Sequence, residues 1–150
     1  MIEVQATQEI DAPAEAVWSV LTELDKFAAW NPFIRDASGS TAVGGTVHVR
    51  VLPSLGIRLA FDAKVVAVTP NRELRWQGHV LSRWLASGDH TFAIEPMGDG
   101  RVRFVQREKF SGILPWLARR LLAREAQRGF DAMNTALAAR VHEQEQERGS

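Results

Sequence analysis

The chain has 150 residues, 45% hydrophobic and 24% charged, with 18 Lys or Arg balancing 18 Asp or Glu. This fits one globular domain able to fold alone, and the zero net charge gives no global pull toward nucleic acid or an anionic membrane. Without cysteine or tyrosine there is no disulfide, thiol nucleophile, thiolate metal site or phenolic acid.

The opening "MIEVQATQEID" lacks the basic and apolar regions of a secretory signal. No run approaches the ~20 apolar residues that span a bilayer, so no integral membrane segment is expected and the expected location is the cytoplasm. "IEVQATQEI" alternates as a strand, with Ile2, Val4, Ala6 and Ile10 on one side. "DAPAEAVWSVLTEL" predicts a helix, with Asp11 as N-cap, Pro13 in the first turn and Glu15 matching the dipole. Val17, Leu21 and Leu24 form its apolar stripe. "DKFAAWNPF" predicts another helical turn that stops before Pro32.

From 34 to 111 the texture is β. Val47, Val49 and Val51 alternate with His48 and Arg50. Ile57, Leu59, Phe61, Ala63 and Val65 share a face, as do Leu74, Trp76 and Val80, with Arg75, Gln77 and His79 opposite. The turn signals "VGGT", "LPSLG", "TPNRE" and "MGDGR" are closely spaced, which favours an antiparallel meander.

"GDHTFAIEP", positions 88 to 96, puts His90 on the same face as Phe92 and Ile94. In "RVRFVQREKFSG", Val102, Phe104 and Phe110 share a face with Gln106 and Glu108. A three-residue hairpin loop at "GDG", with Gly100 left-handed, pairs Met97 with Arg101. His90 then falls opposite Glu108, Phe92 opposite Gln106 and Ile94 opposite Phe104. A slip by one residue would bury arginines and expose phenylalanines, so the faces are well determined. Buried polar groups need partners. His90, Gln106 and Glu108 are therefore either a mutually satisfied structural cluster or the polar anchor of an apolar pocket.

From about Leu114, apolar residues recur at helical spacing: Leu114, Leu117, Leu121, Ala126, Phe130, Met133, Leu137 and Val141. A helix of about 25 to 30 residues is predicted, far above the average of about 11–12. Gly129 inside it implies a close contact or a bend. The tail from 144 to 150 is expected to fray. No repeat or linker appears, so residues 1–150 form one domain.

The order is strand, two short helices, about six more strands, long helix. An α+β architecture follows, with a strongly bent antiparallel sheet of six to seven strands wrapped around the terminal helix. One helical stripe cannot fill the concave face, so an internal void is expected. Its walls would come from Phe61, Trp76, Phe92, Phe104, Phe110, Phe130 and Met133, with Trp30 and Phe33 near the mouth. In "AWNPF", turn packing is the ordinary reading of Trp30, Asn31 and Phe33, with Arg35 nearby. Trp84 and Leu85 are either a lid or rim packing.

His48 and His79 point away from this interior, and no two histidines have helical metal-ligand spacing, so no metal is expected. GxSxG, P-loop and GxGxxG motifs are absent, and no cofactor is indicated. "ARRLLAREAQR" is basic, but acidic residues beside it favour a solvated face.

The chain resembles the START-like, or SRPBCC, superfamily, which includes the Bet v 1-like and polyketide cyclase/dehydrase families. The resemblance rests on the order of "IDAPAEAVWSVLTELDKFAAWNPF", "TPNRELRWQG", "GDHTFAIEP" with "REKFSG", and "GFDAMNTALAAR". It implies a helix-grip fold around a hydrophobic cavity and binding of a lipid, polyketide, quinone or similar small hydrophobic molecule. The sequence leaves monomer and homodimer both open. The resemblance also allows a cyclase/dehydratase-like enzyme; the family has no universal catalytic motif to carry over, and strand parity would then make His90 the residue that takes a proton and Glu108 the one that orients its ring. A third reading, a partner-binding module, needs an apolar outer sheet face. Arg50, Lys64, Arg75, Arg103 and Arg107 make that face charged.

Overall fold

The computed structural model describes residues 1–52, 58–80 and 82–149. The alternating start forms β1 (Ile2–Ile10), with Val4, Ala6 and Ile10 buried. Helix α1 (Ala14–Thr22) follows and buries Val17 and Leu21. Its N-cap residue is Pro13, not Asp11, and no side chain caps it. Asp11 lies too far ahead of the first turn to reach its free amides. A 3-10 turn (Leu24–Lys26) leads into α2 (Phe27–Trp30), which ends before Pro32 as its φ/ψ restriction predicts.

The remaining strands are β2 (Ile34–Gly39), β3 (Thr46–Val51), β4 (Leu59–Thr69), β5 (Glu73–His79), β6 (Ser87–Pro96) and β7 (Val102–Ser111). They join β1 in one seven-stranded sheet of order β1-β7-β6-β5-β4-β3-β2, antiparallel throughout. Register shifts between Ile34 and Asp36 and between Val65 and Ala67 add local bends to the sheet. The β6–β7 hairpin has the expected register, with Met97 donating to the Arg101 carbonyl and Gly100 at φ 81°. Ile57 and most of "LPSLG" lie outside the described residues.

The terminal helix departs from the expected single run. Pro115 falls in a short helix, α3 (Ile113–Leu117), which breaks at Ala118 before the 30-residue α4 (Arg119–Arg148). The buried stripe of α4 is Ala126, Phe130, Met133, Leu137 and Val141, as the period predicts. Leu114, Leu117 and Leu121 do not extend it and are exposed. Periodicity shows which side chains share a face, not whether anything lies beneath that face. Where fraying from 144 was expected, α4 stays helical through Arg148, with i,i+3 ion pairs Arg140–Glu143 and Glu145–Arg148 along its last turns.

Helix α4 packs on β1, β7 and α1, giving the helix-grip arrangement. The larger core cluster joins Leu21, Phe27, Leu74, Phe92, Phe104, Met133 and Leu137. A smaller one joins Val4, Ala6, Ala126 and Phe130. Each fully buried side chain of this size contributes about 1.5–3 kcal/mol.

Candidate functional site

A cavity of about 210 Å³ opens at one end of the sheet, where the two clusters part. Ile34, Val49 and Trp76 face it from the larger cluster, and Phe110 and Ala126 from the smaller. It lies where β6 begins and β7 ends, beside α3 and the first turns of α4. At well over the ~10–15 Å³ one water requires, it has room for a small organic molecule.

Six of the twelve residues expected at the site line this cavity: Phe33, Phe61, Trp76, His90, Glu108 and Phe110. The other six do not. Phe92 and Phe104 on the sheet, and Phe130 and Met133 on α4, are fully buried core. Gln106 is fully buried and hydrogen-bonded behind His90. Trp30 packs its ring edge-on to Phe27 at 5.2 Å rather than at the mouth. Strand parity identifies the inward face, but the cavity occupies only one end of it.

The cross-strand register sets His90 opposite Glu108 and beside Gln106. His90 is buried, stacked on Phe92 at 4.3 Å and edge-on to Phe130 at 5.1 Å. Its Nδ1 lies 3.1 Å from Glu108 Oε1 and its Nε2 lies 2.9 Å from Gln106 Oε1. Gln106 Nε2 donates to Asn134 Oδ1 at 2.9 Å. That bond gives the chain a direction. The amide nitrogen of Gln106 is committed to Asn134, so its oxygen accepts from His90 Nε2–H. A hydrogen bond between Nδ1 and Oε1 then needs one proton between those two atoms.

Both ring nitrogens of His90 are engaged, so within this cluster the atom left for a ligand is Glu108 Oε2. The Glu108 side chain is 14% exposed, and Oε2 has no protein partner among the described residues. Gly88 makes room for it, since a Cβ there would stand 2.4 Å from Oε2. Gly78, paired with Gly88 across β5 and β6, similarly accepts the Phe61 ring, which a Cβ would meet at 3.0 Å. Glycine within a strand marks such close approaches, and this opposed pair is the sequence signal for the polar corner. Asn134, fully inside on the α4 stripe, was signalled only by a polar residue at the i+4 position from Phe130. Glu125 on α4 also lines the cavity, and His79, which ends β5 at the rim, borders it while sharing the outer face with Gln77, Asp89 and Lys109, as its parity predicts.

On the outer face beneath the site, Arg75 Nε donates to Asp89 Oδ1 at 2.7 Å, a second guanidinium nitrogen reaches Oδ2, and Gln77 adds a third donor. The Arg75 hydrogen bond holds the Asp89 carboxyl below the ordinary carboxylate range, against a smaller opposing effect of burial. This fork ties β5 to β6 one residue from His90.

"AWNPF" builds the cavity's other wall. Asn31 Oδ1 accepts from the amides of Phe33 and Ile34, at 3.0 and 2.8 Å, which turns the chain and aims Phe33 inward. Arg35 donates to the Asn31 carbonyl at 2.6 Å and supports that turn. Phe33 lies against Gly129 of α4, where a Cβ would be 2.2 Å from its Cδ1. The segment 82–86 is tied to α3 through Ile113 N–H to the Trp84 carbonyl and Leu114 N–H to the Leu85 carbonyl. Among the described residues no cluster of His, Asp or Glu could hold a metal.

The sequence matches, over residues 1–142, the family described as polyketide cyclase/dehydrase and lipid transport. No curated protein matches it in sequence. Among solved structures, the Zhui aromatase/cyclase from Streptomyces sp. R1128 superposes with a TM-score of 0.77 at 17% identity, over 94% of this chain and 93% of that one. A START superfamily protein from Mycobacterium smegmatis gives 0.76 at 19% identity, over 94% and 97%. Norcoclaurine synthase from Thalictrum flavum gives 0.73 at 14% identity, over 96% of each chain. At these identities the likeness speaks to the fold alone.

Proposed function

The chain belongs to the polyketide cyclase/dehydrase and lipid transport family, and on that premise we propose that it binds a small hydrophobic molecule bearing a hydroxyl group, of the lipid, polyketide or quinone class. One observation carries the reading: a polar corner, Glu108 braced by His90, set into a cavity lined mostly by apolar side chains, with Glu125 on its α4 wall. Burial of apolar surface supplies the affinity at ~25 cal/mol per Å², less the cost of immobilising the ligand. The Glu108 carboxyl supplies orientation. With Oε1 engaged by His90, Oε2 accepts from a ligand hydroxyl.

Native mass spectrometry of the purified protein tests this directly, with a retained apolar small molecule as the expected result. The Glu108→Leu variant should bind that molecule about tenfold or more weaker, the loss of a hydrogen bond to a charged group being about 1.5–3 kcal/mol. Undiminished binding after the polar corner is removed would place the ligand elsewhere.

A second reading, proton-transfer catalysis of the cyclase or dehydratase kind, is favoured by the direction of the hydrogen-bond chain. In that reading Glu108 Oε2 is the group that takes a proton next to a carbonyl or returns one to a leaving hydroxyl, and His90 positions it. This inverts the roles expected from sequence, because His90 has no free nitrogen to offer. Two of the similar structures are, by name, an aromatase/cyclase and a synthase. Glu108→Gln separates the readings: catalysis requires loss of turnover with affinity kept within a few-fold, whereas anchoring alone changes affinity.

A further inference from the structure

We infer that the open end of the cavity docks on an anionic lipid surface. Ten large apolar side chains are exposed among the described residues, and eight gather at this end: Leu59 and Val80 at the opening, Trp84 on the 82–86 segment, and Ile113, Leu114, Trp116, Leu117 and Leu121 on α3 and the start of α4. Trp84 is 67% exposed and Leu117 64%. The two backbone hydrogen bonds between 82–86 and α3 make these one surface rather than two loose segments. An apolar concentration of this kind marks an interaction site.

The charge around it is one-sided although the chain is neutral. Residues 79–88 and 109–124 contain no Asp or Glu, and Arg83, Arg119, Arg120 and Arg124 are exposed there. Arg119 and Arg120 occupy the first turn of α4, which has no acidic residue, while Glu143, Glu145 and Glu147 fall near its C-terminus. This distribution opposes the helix dipole, which favours anions at the N-terminus and cations at the C-terminus. The arginines are thus poorly placed for helix stability and well placed to meet an external negative charge.

The chemistry of the patch selects the partner. "ILPWLA" at 113–118 carries no polar side chain beyond the Trp116 indole, so it offers little of the hydrogen bonding of a specific protein interface. Protruding Leu, Ile and Trp with arginine alongside is the composition of a segment that lies in a bilayer interface, indoles and cations at headgroup level. Arg119 sits 4.9 Å over the Trp116 ring and donates to its carbonyl, which holds one such cation beside one such indole. Among the described residues no helix is long and apolar enough to cross a membrane, so the chain would lie on the surface. The inference extends the ligand-binding reading, since the patch rings the same opening, and gives an apolar ligand a route that avoids water.

Flotation with phosphatidylcholine vesicles, with and without phosphatidylglycerol, tests it. The full chain should bind the anionic vesicles, bind neutral ones weakly, and release as salt is raised. Leu117→Asp should weaken binding about tenfold or more, as should Arg119→Glu with Arg120→Glu, near-surface cations being worth about 1 kcal/mol each. Circular dichroism and uptake of a dansyl-labelled fatty acid, without vesicles, should be unchanged, since none of these side chains lines the cavity. Absence of binding to anionic vesicles, or binding indifferent to these substitutions, overturns the inference. So does a dimer, or a complex with an acidic protein, that Leu117→Asp dissociates in place of vesicle binding. Vesicle binding without uptake of the fatty acid would uphold the docking surface and remove the cavity function.

Discussion

Glu108 lies directly across the β6–β7 ladder from His90, with Oε1 3.1 Å from the imidazole Nδ1. Neither side chain can be exchanged alone at equal cost. His90→Ala removes a ring packed between Phe92 and Phe130 and strips partners from both Glu108 and Gln106. We expect destabilisation of about 2–5 kcal/mol from the cavity and the unpaired groups together. Glu108→Gln keeps the volume and can donate to a neutral Nδ1, so its cost should stay below about 1.5 kcal/mol. Urea denaturation of the two variants checks the order, and equal losses would mean that the ring is not held as described.

Asn134 is the far end of the same chain. Asn134→Ala leaves Gln106 Nε2 without its acceptor inside a fully buried setting. The expected loss is about 1–3 kcal/mol, reduced by the better helix propensity of alanine. A double-mutant cycle with Gln106→Ala should give a coupling of about 0.5–3 kcal/mol. Additive losses would show that the two amides do not communicate.

Gly129→Ala tests whether α4 and Phe33 jointly shape the cavity. The added methyl would stand 2.2 Å from the Phe33 ring, which must move, and the Phe33 ring lines the cavity. Alanine favours the helix by about 1 kcal/mol, and the clash costs about 1–3 kcal/mol, so net stability should fall by about 0–2 kcal/mol. Uptake of a dansyl-labelled fatty acid should fall severalfold in fluorescence titration. Full uptake with an unchanged melting temperature would mean that Phe33 can turn away from the cavity.

The fold was legible because strand parity and hairpin chemistry agreed. Alternation assigned the faces of β6 and β7, and "GDG" set their register, which brought His90, Gln106 and Glu108 together. The extent of the cavity was not legible. Phe92 and Phe104 have the same parity as true wall residues, and Met133 the same period, and only the path of α4 over the sheet decides where helix and sheet close on each other. The break at Ala118 was hidden because the leucines on either side keep a helical period. The basic run "ARRLLAREAQR" was visible, but not its place beside the exposed apolar side chains of α3, which follows only from the break at Ala118.

Asp89 offers a pH test independent of the cavity. Its carboxyl is held below the ordinary range by Arg75, so its folded pKa is lower than its unfolded value of about 3.9. The ionised form therefore favours the folded state. That contribution is fully present above the unfolded pKa and is lost as pH falls through the folded one. Asp89→Asn should lower stability at neutral pH by about 1 kcal/mol or less, because the Arg75 side chain is 41% exposed and solvent screens the pair. The gap between wild type and variant should close through the acid limb of a urea-midpoint against pH curve. A gap that stays constant down to the lowest pH at which both remain folded would mean that the charge of Asp89 contributes nothing, and that the fork joins β5 to β6 by geometry alone.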